Sequence, residues 1–260
     1  MIGIFGSGIG GLTVVKAIME KIPGYDIIYF GDTARTPYGN KSPETVIEYA
    51  VQDMALLLDN GAKIIVMACN TVSSVAIDIV KKIEIPVFDV VTPAAELALE
   101  SSRKMAIGVI GTRATIKSNI YEKKIKAVNA GARVYSAACP LLVPIVEEGW
   151  INKPETAMVV KKYLYPLKVR QIDTLILGCT HYPLLKSVIQ RKIGKRVNII
   201  DSSTGVAGKV EKFLKERPDI DCLLSKNGKT RIFVSDVTEQ FAKTARAIFK
   251  QNVLLEQINI

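Results

Sequence analysis

One motif that occurs twice constrains this chain more than anything else in it. The first copy reads Ile64-Ile65-Val66-Met67-Ala68-Cys69-Asn70-Thr71 and the second Thr174-Leu175-Ile176-Leu177-Gly178-Cys179-Thr180-His181. Each is an apolar run that ends on a small residue, a cysteine and a polar cluster, after which a helical pattern begins. Such a run reads as a buried parallel strand. Each cysteine then stands at the carboxyl end of its strand, where open α/β sheets bind ligands. A second echo accompanies the first. Lys104-Met105-Ala106-Ile107-Gly108-Val109-Ile110-Gly111-Thr112 restates the apolar strand, glycine and hydroxyl residue of Met1 to Ser7. Ser7 and Thr112 are 105 positions apart, and Cys69 and Cys179 are 110 apart. The expected fold is therefore α/β, with two pseudo-symmetric doubly wound parallel-sheet domains facing across a cleft.

The pattern between these landmarks fills in the alternation. A glycine-rich turn, Gly6-Ser7-Gly8-Ile9-Gly10-Gly11, opens a helix carrying Leu12, Val15 and Ile18. Strands are expected at 25–30, 64–68, 85–88, 104–112, 133–135, 174–178, 197–201 and 231–234. The stretch 31–41 reads as a polar loop, and Ser42-Pro43-Glu44 as a capped helix start. A continuous helix is expected from the first cysteine to about residue 82, and Thr92-Pro93 reads as the cap of the next. Cys139-Pro140 and Glu147-Glu148-Gly149 read as one loop, and 152–168 and the segment after Thr238 as helices.

At 260 residues the chain is long enough to bury a substantial core. No apolar run approaches the roughly 20 residues that span a bilayer, and the N-terminus reads as a first strand, so the cytoplasm is the expected compartment. The formal charge of +10 invites a nucleic-acid reading. Without aromatic interleaving or a nucleic-acid fold signature, lysines solvating outer helix faces explain it better. Cys69, Cys139, Cys179 and Cys222 show no metal-ligand spacing, and His181 is the sole histidine. They read as free thiols, with Cys222 a small buried hydrophobe.

The glycine turn after the first strand does not satisfy G-x-G-x-x-G, and it suits a small anion such as a carboxylate better than a dinucleotide. A cysteine at a helix N-terminus is expected to have a lowered thiol pKa. Asn70, Thr71, Thr180, Ser7 and Thr112 supply neutral donors suited to carboxylate oxygens. His181 can serve as proton partner to Cys179. Two thiols on opposite sides of one carbon can remove a proton from one face and deliver one to the other. That is two-base racemisation or epimerisation, which needs no cofactor, and none is expected.

At these residues the chain resembles the glutamate racemases of the cofactor-independent aspartate/glutamate racemase superfamily. The resemblance rests on Gly31-Asp32-Thr33-Ala34-Arg35 with Pro37-Tyr38-Gly39, on Ala68-Cys69-Asn70-Thr71, on Cys139-Pro140-Leu141, and on Leu177-Gly178-Cys179-Thr180-His181-Tyr182-Pro183-Leu184-Leu185. It implies Cys69 and Cys179 as the catalytic bases, with His181 assisting Cys179. It implies substrate contacts from Ser7, Tyr38, Gly39, Asn70, Thr71, Thr112, Glu147 and Thr180. It further implies an N-terminal domain of residues 1–92 completed by 207–260, with 93–206 inserted as the second. Its reaction would interconvert L- and D-glutamate for peptidoglycan synthesis. The expected partner is a small acidic amino acid, with neither membrane nor nucleic acid, and with a homodimer left open.

One position departs from that pattern. The family's first strand ends Asp-Ser-Gly, and the aspartate assists the first cysteine; here it ends Phe5-Gly6-Ser7-Gly8. Asp32 and Glu147 are candidate substitutes. Racemisation of aspartate or another acidic amino acid, and a weakly active or non-catalytic binding homologue, stand as alternatives.

Overall fold

The computed structural model describes residues 1–80 and 82–258. Its strands are β1 (Ile2–Gly6), β2 (Ile27–Gly31), β3 (Ile64–Met67), β4 (Val87–Asp89), β5 (Ala106–Gly111), β6 (Arg133–Ala138), β7 (Thr174–Gly178), β8 (Asn198–Asp201), β9 (Thr230–Val234) and β10 (Leu255–Gln257). They form two parallel sheets, ordered β10-β9-β2-β1-β3-β4 and β6-β5-β7-β8. The order β2-β1-β3-β4 in the first sheet is repeated as β6-β5-β7-β8 in the second, so the echo in the sequence is an echo in topology. The first sheet differs by gaining β9 and β10 beyond β2 from the end of the chain.

Strands β1, β2, β3, β5 and β7 are buried throughout, as parallel strands covered on both faces must be. Successive residues of β1 serve opposite layers. Ile4 packs with Leu12, Val15 and Ile18 of the Gly11–Lys21 helix, and Phe5 with Val46, Ala50 and Leu57 of the Pro43–Asp59 helix. The first of these cores continues without a break into Leu142, Leu175, Leu177 and Val206 on the second-sheet side. The two sheets thus share apolar packing. The helix Ser202–Glu216 returns the chain from β8 toward the first sheet.

Several local expectations are corrected. The helix after Cys69 is two pieces, Asn70–Val75 and Ile77–Val80, and residue 81 lies outside the described residues. Thr92 and Pro93 lie inside the helix Val91–Ser101, whose N-cap position is Val90; its first amides are served by Asp89, whose Oδ1 accepts from Val91 (2.9 Å) and Thr92 (2.7 Å). A carboxylate two residues before a helix serves its orphan amides better than a hydroxyl already in the first turn. The loop expected between Cys139 and Gly149 contains a helical segment, Leu142–Glu147, which buries Leu142, Val143 and Val146. The polar stretch 31–41 carries two 3-10 turns, Thr33–Arg35 and Tyr38–Asn40. Cys222 is exposed rather than buried, because the short helix Pro218–Asp221 ends beside it and only Leu224 turns inward. Strand β10 carries too little apolar alternation to be read from sequence. No helix among the described residues is long and apolar enough to cross a membrane.

Candidate active site

The sequence-singled residues converge because both sheets present carboxyl ends to the same place. Ser7 follows β1 and Thr112 follows β5; Cys69 follows β3 by two residues and Cys179 follows β7 directly. These are the strands on either side of each sheet's order reversal, where α/β sheets open a crevice. Ser7, Tyr38, Gly39, Cys69, Asn70, Thr71, Thr112, Cys179, Thr180 and His181 line one enclosed cavity of about 20 Å³, with Pro37 and Val143 completing its wall. Of the predicted set only Glu147 stands outside the wall, behind His181. Pro37 sat in a stretch read as loop and Val143 in another, so neither carried a periodic signal.

Contacts across the two sides close the cavity. Thr71 Oγ1 and Thr112 Oγ1 are 3.0 Å apart, Thr180 donates its hydroxyl to the carbonyl of Ala68 (3.2 Å), and Asn70 Nδ2 donates to Ser202 Oγ (3.3 Å). Tyr121 fixes Asn70 from the other end by donating to its Oδ1 (2.5 Å). Two glycines make the approach possible. A Cβ at Gly10 would lie 2.6 Å from His181 Nδ1, and one at Gly39 would lie 2.6 Å from the Thr112 Cβ. Thr13 extends the seam, hydrogen-bonding with Ser203 Oγ (2.8 Å) and donating to the Thr180 carbonyl (3.2 Å).

The two thiols have different neighbours. Cys179 Sγ lies 3.7 Å from His181 Nδ1, and His181 Nε2 lies 2.6 Å from Glu147 Oε1. Burial alone would lower the imidazole pKa, but the hydrogen bonds and charges of Cys179 and Glu147 outweigh it and lift it to about 10. His181 is therefore an imidazolium at neutral pH. Among the described residues Cys69 Sγ is hydrogen-bonded with the Ser7 hydroxyl, at 3.8 Å, and the amides of Val72 and Thr71. Burial, joined by the charge of Cys179, raises its thiol pKa more than those donors lower it, which corrects the lowered value expected from helix position alone. No carboxylate among the described residues hydrogen-bonds Cys69. Glu147 is committed to His181. Asp32 is held by Tyr38, by Arg35 Nε at 2.5 Å and by Ser235 Oγ at 3.0 Å. Among the described residues no group of three or more His, Cys, Asp or Glu side chains is placed to hold a metal ion.

A cavity walled by two thiols and by amide and hydroxyl donors is equipped for proton removal and return at a carbon next to a carboxylate. Relatives share the whole frame. The chain is 45% identical over 260 residues to a glutamate racemase of Persephonella marina, covering 100% of this chain and 97% of that one. A glutamate racemase isoform of Bacillus anthracis superposes with a TM-score of 0.94 at 35% identity, over 100% of this chain and 97% of that chain. The glutamate racemase of Francisella tularensis, solved with D-glutamate, gives 0.90 at 40% identity over 99% and 97%. The sequence pattern of the Asp/Glu/Hydantoin racemase family matches residues 7–207, and the chain belongs to that family.

Proposed function

We propose that this protein is a glutamate racemase that interconverts L- and D-glutamate by two-thiol, cofactor-independent proton transfer. The observation that carries the reading is the pair Cys69 and Cys179, set at equivalent strand ends of two like sheets and facing one small cavity. One thiolate takes the Cα proton and becomes a thiol, and the thiol on the other face gives its proton to the carbanion and becomes a thiolate. The charge stays constant and the centre inverts. Ser7, Asn70, Thr71, Thr112 and Thr180 orient the two carboxylates by hydrogen bonds, Tyr38 and Gly39 form the wall against which the substrate rests, and His181 holds or passes the proton at Cys179. Glu147 keeps His181 in position and charged.

In the cell this activity supplies D-glutamate for peptidoglycan, and we place it in the cytoplasm. We also propose that residues 1–92 with 207–260, and 93–206, act as the two bodies that open and close on the substrate. Strand membership of the two sheets supports that division. The deciding experiment is solvent deuterium exchange at Cα with both enantiomers of glutamate and of aspartate, without added cofactor. Exchange on both glutamate enantiomers, lost in Cys69→Ala and in Cys179→Ala, is the expected result. Exchange faster on aspartate would transfer the reading to that substrate, and none on any of the four would end it.

A further inference from the structure

Beside the thiol cavity lies an open groove of about 570 Å³. Its walls come from both sides of the molecule: Gly39 to Pro43 on the first-sheet side, and the Arg113–Lys117 helix with Ser118 on the second. Gly39 belongs to both cavities. The partition between them is therefore the seam at which Gly39 meets Thr112, too close to admit a methyl group. That seam is noncovalent and joins two sheet systems, so it can part.

The groove's charge is one-sided. Arg113 and Lys117, one helical turn apart, are exposed, and Lys41 is half-buried with its Nζ 5.7 Å from the centre of the Tyr49 ring. Among the described residues none of the three has a carboxylate within ion-pair distance. Elsewhere Lys21, Lys126, Lys209 and Lys215 each have one. Glu44, the nearest acid in sequence to Lys41, is engaged by its own amide and by Ser42. A cleft lined with one sign of charge focuses field and concentrates counter-ions. A dicarboxylate bound for an enclosed cavity needs such a waiting place, because the closed site has room for about one water.

We propose that Lys41, Arg113 and Lys117 form a capture site for small dicarboxylates, from which substrate passes through the Gly39–Thr112 seam to the thiols. The passage step rests on the racemase reading; the capture step does not. The test uses the full chain, amide-labelled for NMR and titrated at low ionic strength with glutarate, a dicarboxylate without an α-amino group. Amides of Lys41, Ser42, Arg113, Lys117 and Ser118 shift saturably. These shifts vanish in the triple variant Lys41→Gln/Arg113→Gln/Lys117→Gln, and persist in the charge-matched control Lys123→Gln/Lys195→Gln/Arg196→Gln. In exchange assays on glutamate the triple variant loses about tenfold in kcat/KM, carried by KM, and the loss shrinks at high salt. Groove amides that ignore glutarate, shifts that survive the triple variant, or an equal loss in the control would overturn the proposal. Inorganic phosphate moving the same amides as strongly would also overturn it, by making the groove a general anion sink. Glutarate binding at the groove without Cα exchange on any acidic amino acid would instead uphold the capture site and remove the racemase reading.

Discussion

The thiols of Cys69 and Cys179 are buried to nearly the same degree, at 7% and 6% exposure, yet they stand in different electrostatic company. Cys179 faces an imidazolium backed by a carboxylate; Cys69 faces a hydroxyl and two amides. Replacing Glu147 with Gln removes the charge and weakens the hydrogen bond that lift His181. Its pKa then falls from about 10 toward the ordinary value, the alkaline limb of the pH–rate profile moves down with it, and kcat drops roughly 10²-fold. An alkaline limb left in place would mean that another group sets it. Gly6→Asp restores an acid at the end of β1, where its Cβ comes 3.0 Å from the Ala68 carbonyl oxygen. The expected gain is up to about tenfold, below the full range of general acid–base assistance because of that contact. Enantiomers have equal free energy, so kcat/KM must remain the same in both directions. The asymmetry appears as a larger rise in kcat where Cys69 is the base, offset in KM. Unchanged kcat in both directions would show that the Ser7 hydroxyl and the amides suffice.

At the scale of elements, the two 3-10 turns after β2 are tied down by a buried cluster. Arg35 bridges Asp32 and Asp53 (2.5 and 3.1 Å), and the Tyr38 hydroxyl donates to Asp32 with Asp53 Oδ2 3.1 Å away. Burial and the neighbouring Asp32 charge push Asp53 well above the ordinary carboxylate pKa, against the pull of Arg35 and Tyr38. Asp53→Asn keeps the shape and removes one of two crowded buried like charges, and is expected to cost less than about 1 kcal/mol, whereas Arg35→Met strands the Asp32 charge and costs about 3–5 kcal/mol. Urea midpoints at pH 7 separate the two. This cluster shows where sequence reading ended. The strands and their terminal cysteines were legible because burial on both faces writes an unbroken apolar run, and the duplication marked which runs correspond. Asp32, Arg35 and Tyr38 fell in a motif, but Asp53 sits mid-helix with no local sign that it turns toward them. Helix Leu142–Glu147 was hidden by Pro140 and Pro144. The 64–71 stretch announced a thiol at a helix start but not that desolvation would outweigh the helix.

For the molecule as a whole, His181 links stability to pH. Its folded pKa is raised from 6.5 to about 10, so its contribution is complete below pH 6.5 and is lost as pH rises through about 10. The slope reaches about 1.4 kcal/mol per pH unit inside that window. Thermal midpoints of the parent chain should fall between pH 7 and 10 more steeply than those of His181→Gln; parallel curves would contradict the assignment. The enclosure of the cavity between two sheet systems has another outcome, in protection and timing. Cys222 lies on the surface while Cys69, Cys139 and Cys179 do not. A thiol alkylating reagent therefore modifies one position at once and the cavity pair only when the Gly39–Thr112 seam parts. The surface cysteine acts as an internal stopwatch, and the ratio of the slow labelling to the fast one measures how often the resting protein exposes its chemistry to oxidants.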